Sequence, residues 1–132
     1  MEPRIGVAAV VQNSEWKILF AKRKGHHGPG FYAPPGWHLE MSESIIDCAR
    51  RECLEETGLE CHGGKILSFT EDIFSPEKHY ITFFVLFSDY SGEVSTREPD
   101  KAETWDWYAL DDLPDPLFLP IVHFLEQWIR LE

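Results

Sequence analysis

Glu52, Glu55 and Glu56 stand at i, i+3 and i+4 of a stretch that reads as a helix, with Arg51 directly before them. At 3.6 residues per turn this spacing projects the three carboxylates from one helical face, within about 100° of arc. A fourth carboxylate, Glu43, lies eight residues before Arg51, after a loop ending in Pro34-Pro35-Gly36. Carboxylates gathered like this repel one another unless something positive sits among them. A hard divalent cation suits them, because Mg²⁺ and similar ions take oxygen ligands. The bland reading is a solvated acidic face, which an isolated Glu-Glu pair usually is. The Arg-Glu spacing and the adjoining Pro/Gly loop argue for a site instead.

The helix that must carry these residues is legible on its own. Ser42 or Ser44 can cap it, Glu43 favours its positive end, and it runs to about Thr57 before Gly58 supplies the stop. Ile45, Ala49 and Cys53, with Ile46 alongside, form the stripe expected to be buried. Upstream, Ile5 to Gln12 and Trp16 to Lys22 read as two strands joined by a hairpin turn at Asn13-Ser14-Glu15. Lys24 to Gly36 holds four glycines and three prolines, hence a loop with a short strand at Phe31–Ala33. Downstream, residues 65–74 and 79–88 are strand-like around a Ser75-Pro76-Glu77 turn, and Thr104 to Ala109 alternates as a half-buried strand. Asp111 to Pro116 is a turn region. Leu117, Ile121, Phe124, Leu125 and Trp128 then trace an amphipathic C-terminal helix. The order β-β-(β)-α-β-β-β-α implies a mixed sheet covered by helices, an α/β or α+β sandwich, over residues 1–132 as one domain.

With 132 residues, 43% hydrophobic and 14% aromatic, the chain can bury a core without cross-links. Cys48, Cys53 and Cys61 are odd in number and lack CxxC spacing, so reduced thiols in a cytoplasmic protein are the simplest reading. Met1-Glu2-Pro3-Arg4 runs straight into a strand without a signal-peptide layout, and no apolar run is long enough to cross a bilayer. Net charge is −11, from 23 acidic and 12 basic side chains. That field repels polyanions and argues against nucleic-acid polymers and anionic membranes as partners. A small phosphorylated ligand is compatible if Arg, Lys or a metal reverses the field locally.

The stretch from Gly36 to Leu59 resembles the box of the Nudix hydrolase family, G-x5-E-x7-R-E-U-x-E-E-x-G-U with U apolar. Glu43, Arg51-Glu52, Cys53, Glu55-Glu56 and Gly58-Leu59 fall in register. The first Gly does not, because Trp37 occupies that position and Gly36 stands one residue early. Lys22-Arg23-Lys24-Gly25, the Pro35-to-Glu40 segment, Glu103-x-Trp105-x-Trp107 and Leu113-Pro114…Leu117-Phe118 extend the likeness over nearly the whole chain. They are similar to MutT-like nucleoside triphosphate pyrophosphohydrolases whose loop reads PGGHLE. The resemblance implies a Nudix-type α-β-α sandwich with a mixed sheet and two main helices. It also implies Mg²⁺- or Mn²⁺-dependent hydrolysis of a nucleoside diphosphate linked to another group; a triphosphate would give the monophosphate and pyrophosphate. Glu52, Glu55 and Glu56 would hold the metal, with the main-chain carbonyl of Trp37 beside them and Glu52 also a base for the water. Arg51 and Glu43 would pair to orient helix and loop. Glu103 would be the extra carboxylate from outside the box, ahead of Glu98. If the replaced Gly needs φ > 0, the indole of Trp37 costs about 1–2 kcal/mol there.

Two readings stand for several other residues. Arg23 and Lys24 are either strand-end charges or phosphate contacts, and His38 is either a loop hydrogen-bonder or part of a substrate pocket. Phe118 and Leu119 either close over a base or simply pack the last helix. Trp105 and Trp107 read as core. His26, His27, His62, His79 and His123 show no metal-ligand spacing. Ala33 is a Gln in some similar members, so their base preference does not carry over. The expected partner is a small nucleotide, with a homodimer compatible. Alternatives are hydrolysis of a nucleotide sugar, ADP-ribose or a dinucleotide, and a non-catalytic nucleotide-binding module on account of Trp37.

Overall fold

The computed structural model describes residues 2–25 and 29–131, so His26 and His27 lie outside the described residues. Its strands are β1 (Arg4–Val11), β2 (Ile18–Lys22), β3 (Tyr32–Ala33), β4 (Gly36–His38), β5 (Glu60–His62), β6 (Lys65–Ser75), β7 (Lys78–Phe87), β8 (Asp89–Ser91) and β9 (Asp106–Tyr108). Its helices are α1 (Ile45–Thr57) and α2 (Leu119–Leu131). The main sheet has the order β4-β1-β7-β6, with β1 and β7 parallel and the two outer pairings antiparallel. A second sheet, β3-β2-β9, and a ribbon of β5 with β8 complete the set.

β1 is apolar on both faces because helices cover both sides of the main sheet. Val7, Ala9 and Val11 pack with Cys48, Ala49 and Cys53 of α1. Ala8 and Val10 pack on the other side with Phe84, Ile121 and Phe124, the last two from α2. Phe84 and Phe124 stack with ring centroids 4.3 Å apart. The mixed sheet between two helices is the expected α+β architecture.

The expected β1–β2 hairpin does not form as a paired ribbon. Asn13 does make the turn, its Oδ1 accepting from the N–H groups of Glu15 (3.0 Å) and Lys17 (2.9 Å). Among the described residues a single bridge, Gln12 to Ile18, joins the two strands before they enter different sheets. β1 already has β4 on one edge and β7 on the other, leaving no edge for β2. Trp16, expected to open the second strand, sits at φ 66° and is 73% exposed.

α1 follows its sequence closely. Ser44, not Ser42, is the cap, its Oγ accepting from Asp47 N–H at 3.1 Å, and Gly58 closes the helix at φ 81°. Cys48, Ala49 and Cys53 are buried, with Ile45 and Ile46 packed at their side. α2 begins at Leu119 and not Leu117, because Leu117 bridges to Tyr32 and Phe118 N–H donates to the Tyr32 carbonyl. β4, β5 and β8 are three-residue strands without alternation long enough to read in sequence.

Candidate active site

The loop before α1 is bound to the helix by one guanidinium. Arg51 donates from Nε to Glu43 Oε2 (2.6 Å) and from Nη2 to Glu43 Oε1 (3.1 Å) and to the His38 carbonyl (3.1 Å). Its Nη1 lies 3.2 Å from Glu52 and 3.3 Å from Glu55. The Arg51–Glu43 pair that the resemblance implied is therefore present. Its bond holds the Glu43 carboxyl below the usual carboxylate range.

Tertiary contacts then separate the three carboxylates of the helix face. Glu56 turns inward and accepts the Gly36 N–H at 2.8 Å. Glu52 lies against it, while Glu55 is half exposed and stays on Arg51. Burial, and then the charge of Glu52, push the Glu56 carboxyl well above the usual range; burial also raises Glu52. Among the described residues, no three His, Cys, Asp or Glu side chains form a ready ligand cluster. Two desolvated carboxylates in contact nonetheless form a donor set that fits a hard cation.

Gly36, not Trp37, holds the special backbone. Its φ is 142°, and a Cβ there would collide with the Val7 carbonyl oxygen. Among the described residues the non-glycine residues with positive φ are Trp16 and Ser42, not Trp37, so the expected strain does not arise. Trp37 stands opposite Val7 in the antiparallel β1–β4 ladder, flanked by bonds from Ala9 N–H to Pro35 O and from Leu39 N–H to Ile5 O. Alternation makes Val7–Trp37 the hydrogen-bonded pair, so the Trp37 carbonyl faces β1. The Gly36 carbonyl, opposed to the Trp37 N–H across a planar peptide, faces away from β1 on the side of Glu56. This corrects the expectation that Trp37 offers the main-chain oxygen.

Beside Glu52 and Glu56 opens a cleft of about 500 Å³, within the size range of small-molecule sites. Arg23, Lys24 and Lys101 bring positive charge to it, and Ala33, Pro34 and Trp105 bring apolar wall. Trp37 and His38 also line it. The segment after β8 reaches it because Ser95 and Arg97 donate to the carbonyls of Thr57 and Glu56 at the end of α1. Lys24 N–H donates to Lys101 O, and the Lys24 ammonium to Pro99 O. Glu98 is thereby set against the cleft, where its charge acts on Glu56.

Glu103, preferred on sequence, is exposed and does not line the cleft; its N–H is bound to Lys22 O. The buried Ala102 takes the inward position and its neighbour points outward. Glu98, the second choice on sequence, does line the cleft; Asp100 and Lys101 carry no fixed spacing to the helix and could not be read from it. Phe118 is buried in the α2-side core and does not line the cleft. Arg23 is no simple strand-end charge: its guanidinium lies 4.8 Å from the Phe118 ring centre and 5.4 Å from that of Trp37. Burial lowers its pKa, and Glu56 opposes the shift. Burial, then Arg4, Arg23 and Lys101, keeps His38 below its ordinary value, so the imidazole is neutral at pH 7.

Trp105 and Trp107 pack in the α1-side core, with Trp107 stacked on Tyr90 at 5.7 Å. The three cysteines are free and buried, Cys53 and Cys61 with sulfurs 3.5 Å apart. His79 pairs with Glu71 and His123 with the buried Asp72, each at 2.7 Å.

The profile of the NUDIX domain matches residues 2–130. A MutT NUDIX hydrolase from Burkholderia pseudomallei superposes with a TM-score of 0.90 at 32% identity, covering 96% of this chain and 98% of that one. An m7GpppN-mRNA hydrolase of Danio rerio is 30% identical over 115 residues, 75% of this chain but only 38% of that relative's length. An ADP-ribose pyrophosphatase of Methanocaldococcus jannaschii is 28% identical over 119 residues, 89% of this chain and 69% of its own.

Proposed function

The chain belongs to the Nudix family, and from that premise we propose that it hydrolyses a nucleoside triphosphate to the monophosphate and pyrophosphate with Mg²⁺ or Mn²⁺ bound. The observation that carries this reading is the Gly36 N–H on Glu56, which sets a loop main chain against two part-buried carboxylates in a cleft that Arg23 and Lys101 also line. Hydrolysis of a phosphoanhydride needs negative charge neutralised on the phosphate oxygens and a water held in line. A bound divalent ion supplies charge neutralisation and lowers the pKa of a water. Glu52 and Glu56 would hold it, with Glu55 swinging from Arg51 and the Gly36 carbonyl adding an oxygen. Glu52 also accepts the proton of the attacking water. Arg51 and Glu43 keep loop and helix in register. Arg23, Lys24 and Lys101 bind the phosphates, with His38 beside them as a neutral donor or acceptor.

The test is product identification by mass after incubating a nucleotide panel with Mg²⁺. Pyrophosphate and a monophosphate are expected. The relatives named for m7GpppN-mRNA and ADP-ribose motivate a second reading, a nucleoside diphosphate joined to another group. Two monophosphate products without pyrophosphate would select it. No turnover of any member with Mg²⁺ or Mn²⁺ would leave a nucleotide-binding module.

A further inference from the structure

The indole of Trp37 is 8% exposed and sits in a slot made of other rings. Its centroid lies 5.1 Å from Tyr80 and 5.3 Å from Phe118, and Phe74 stacks behind Phe118 at 5.8 Å. Beneath it, β1 has Gly6. A Cβ at Gly6 would come within 3.3 Å of the indole and 3.1 Å of Thr82 Oγ1, so the absence of a side chain there makes room for the ring. Thr82 is fully buried and its hydroxyl finds no hydrogen-bond partner among the described residues. Above the ring lies the Arg23 guanidinium, shared with Phe118.

An aromatic slot bordered by a buried hydroxyl and capped by a guanidinium has the chemistry that accepts a nucleobase. An indole and a purine are both fused five- and six-membered rings. We infer that Trp37 is a specificity-determining residue that fills this aromatic slot from within, keeping a substrate base out of it while seating Arg23 toward the phosphates. The base or other organic group then meets the outer wall at Ala33, Pro34 and Trp105. This rests on the reading of the cleft as a phosphoanhydride site.

Wild type, Trp37→Gly and Trp37→Phe decide it in two ways. The first is binding without metal or turnover: adenosine is titrated by calorimetry and its effect on Tm recorded. Trp37→Gly is expected to bind adenosine at least tenfold more tightly than wild type, and the added Thr82→Val change is expected to remove most of that gain. Free indole should raise the Tm of Trp37→Gly by refilling the slot. The second is the kcat/KM ratio of ATP to inorganic triphosphate, expected to rise about tenfold in Trp37→Gly and to stay near wild type in Trp37→Phe. Equal adenosine affinity in wild type and Trp37→Gly overturns the inference. If Trp37→Gly does not fold, wild type alone decides. Stabilisation by adenosine that Thr82→Val abolishes overturns the inference, and no stabilisation upholds it. Absence of all turnover in wild type defeats the proposed activity and leaves the binding result standing.

Discussion

Arg51 Nε lies 2.6 Å from Glu43 Oε2, and this bond spans the turn between β4 and α1. The same guanidinium holds the His38 carbonyl, so one side chain ties the last residue of β4, the turn and the helix together. Neither residue lines the cleft. Their work is to keep the loop that presents Gly36 at a constant distance from Glu52 and Glu56.

Glu43→Gln therefore lowers stability by about 1–3 kcal/mol at neutral pH, the range for a charge-assisted hydrogen bond. Arg51 depresses the Glu43 pKa in the fold. The stabilisation is complete above the unfolded-state pKa of roughly 4.3 and disappears as pH falls through the lower folded value. Urea denaturation of both proteins at about pH 7 and about pH 2.5 checks this. A gap between them that is the same at both pH values would refute it.

Glu56→Gln separates activity from stability. Burial and the charge of Glu52 disfavour the ionised Glu56 carboxyl in the fold, so removing that charge raises Tm at neutral pH in EDTA. Turnover falls by about 10²-fold or more, the order expected when a group that stabilises transition-state charge is lost. Added Mg²⁺ raises the Tm of wild type more than that of the variant. Thermal melts with and without Mg²⁺, beside a phosphate-release assay, read all three.

Gly36→Ala is the severe backbone substitution of the loop. The new Cβ would collide with the Val7 carbonyl oxygen, and φ of 142° is unfavourable to any side chain. A loss of about 3 kcal/mol or more is expected. Chemical denaturation measures it, and a loss under about 1 kcal/mol would show that the β1–β4 contact yields easily.

Glu98→Gln and Glu103→Gln form a matched pair. Glu98 lines the cleft and acts on Glu56, whereas Glu103 points to solvent. The first is expected to lower kcat/KM by about 10-fold or more, the second to stay within about threefold of wild type. The reverse order would reinstate Glu103.

By itself, the sequence determined what depends on neighbours within a few turns of chain. A serine cap at 42 or 44, the Gly58 stop, the buried Ala49–Cys53 stripe and the projection of Glu52, Glu55 and Glu56 from one face all follow from helical geometry, and the fold then settled the cap on Ser44. The Arg51–Glu43 pair came from the resemblance to the Nudix box and not from helical geometry, since Glu43 precedes the helix. Tertiary structure decided what depends on residues far apart meeting. It sent β1 and β2 to different sheets because both edges of β1 were taken. It moved the unusual φ from Trp37 to Gly36 through the close approach of Val7. It set Glu98, and not Glu103, against the cleft by docking the chain after β8 onto the end of α1. A helix face is a periodic property of a dozen residues; a cleft wall is a meeting of loops whose separation in sequence carries no period.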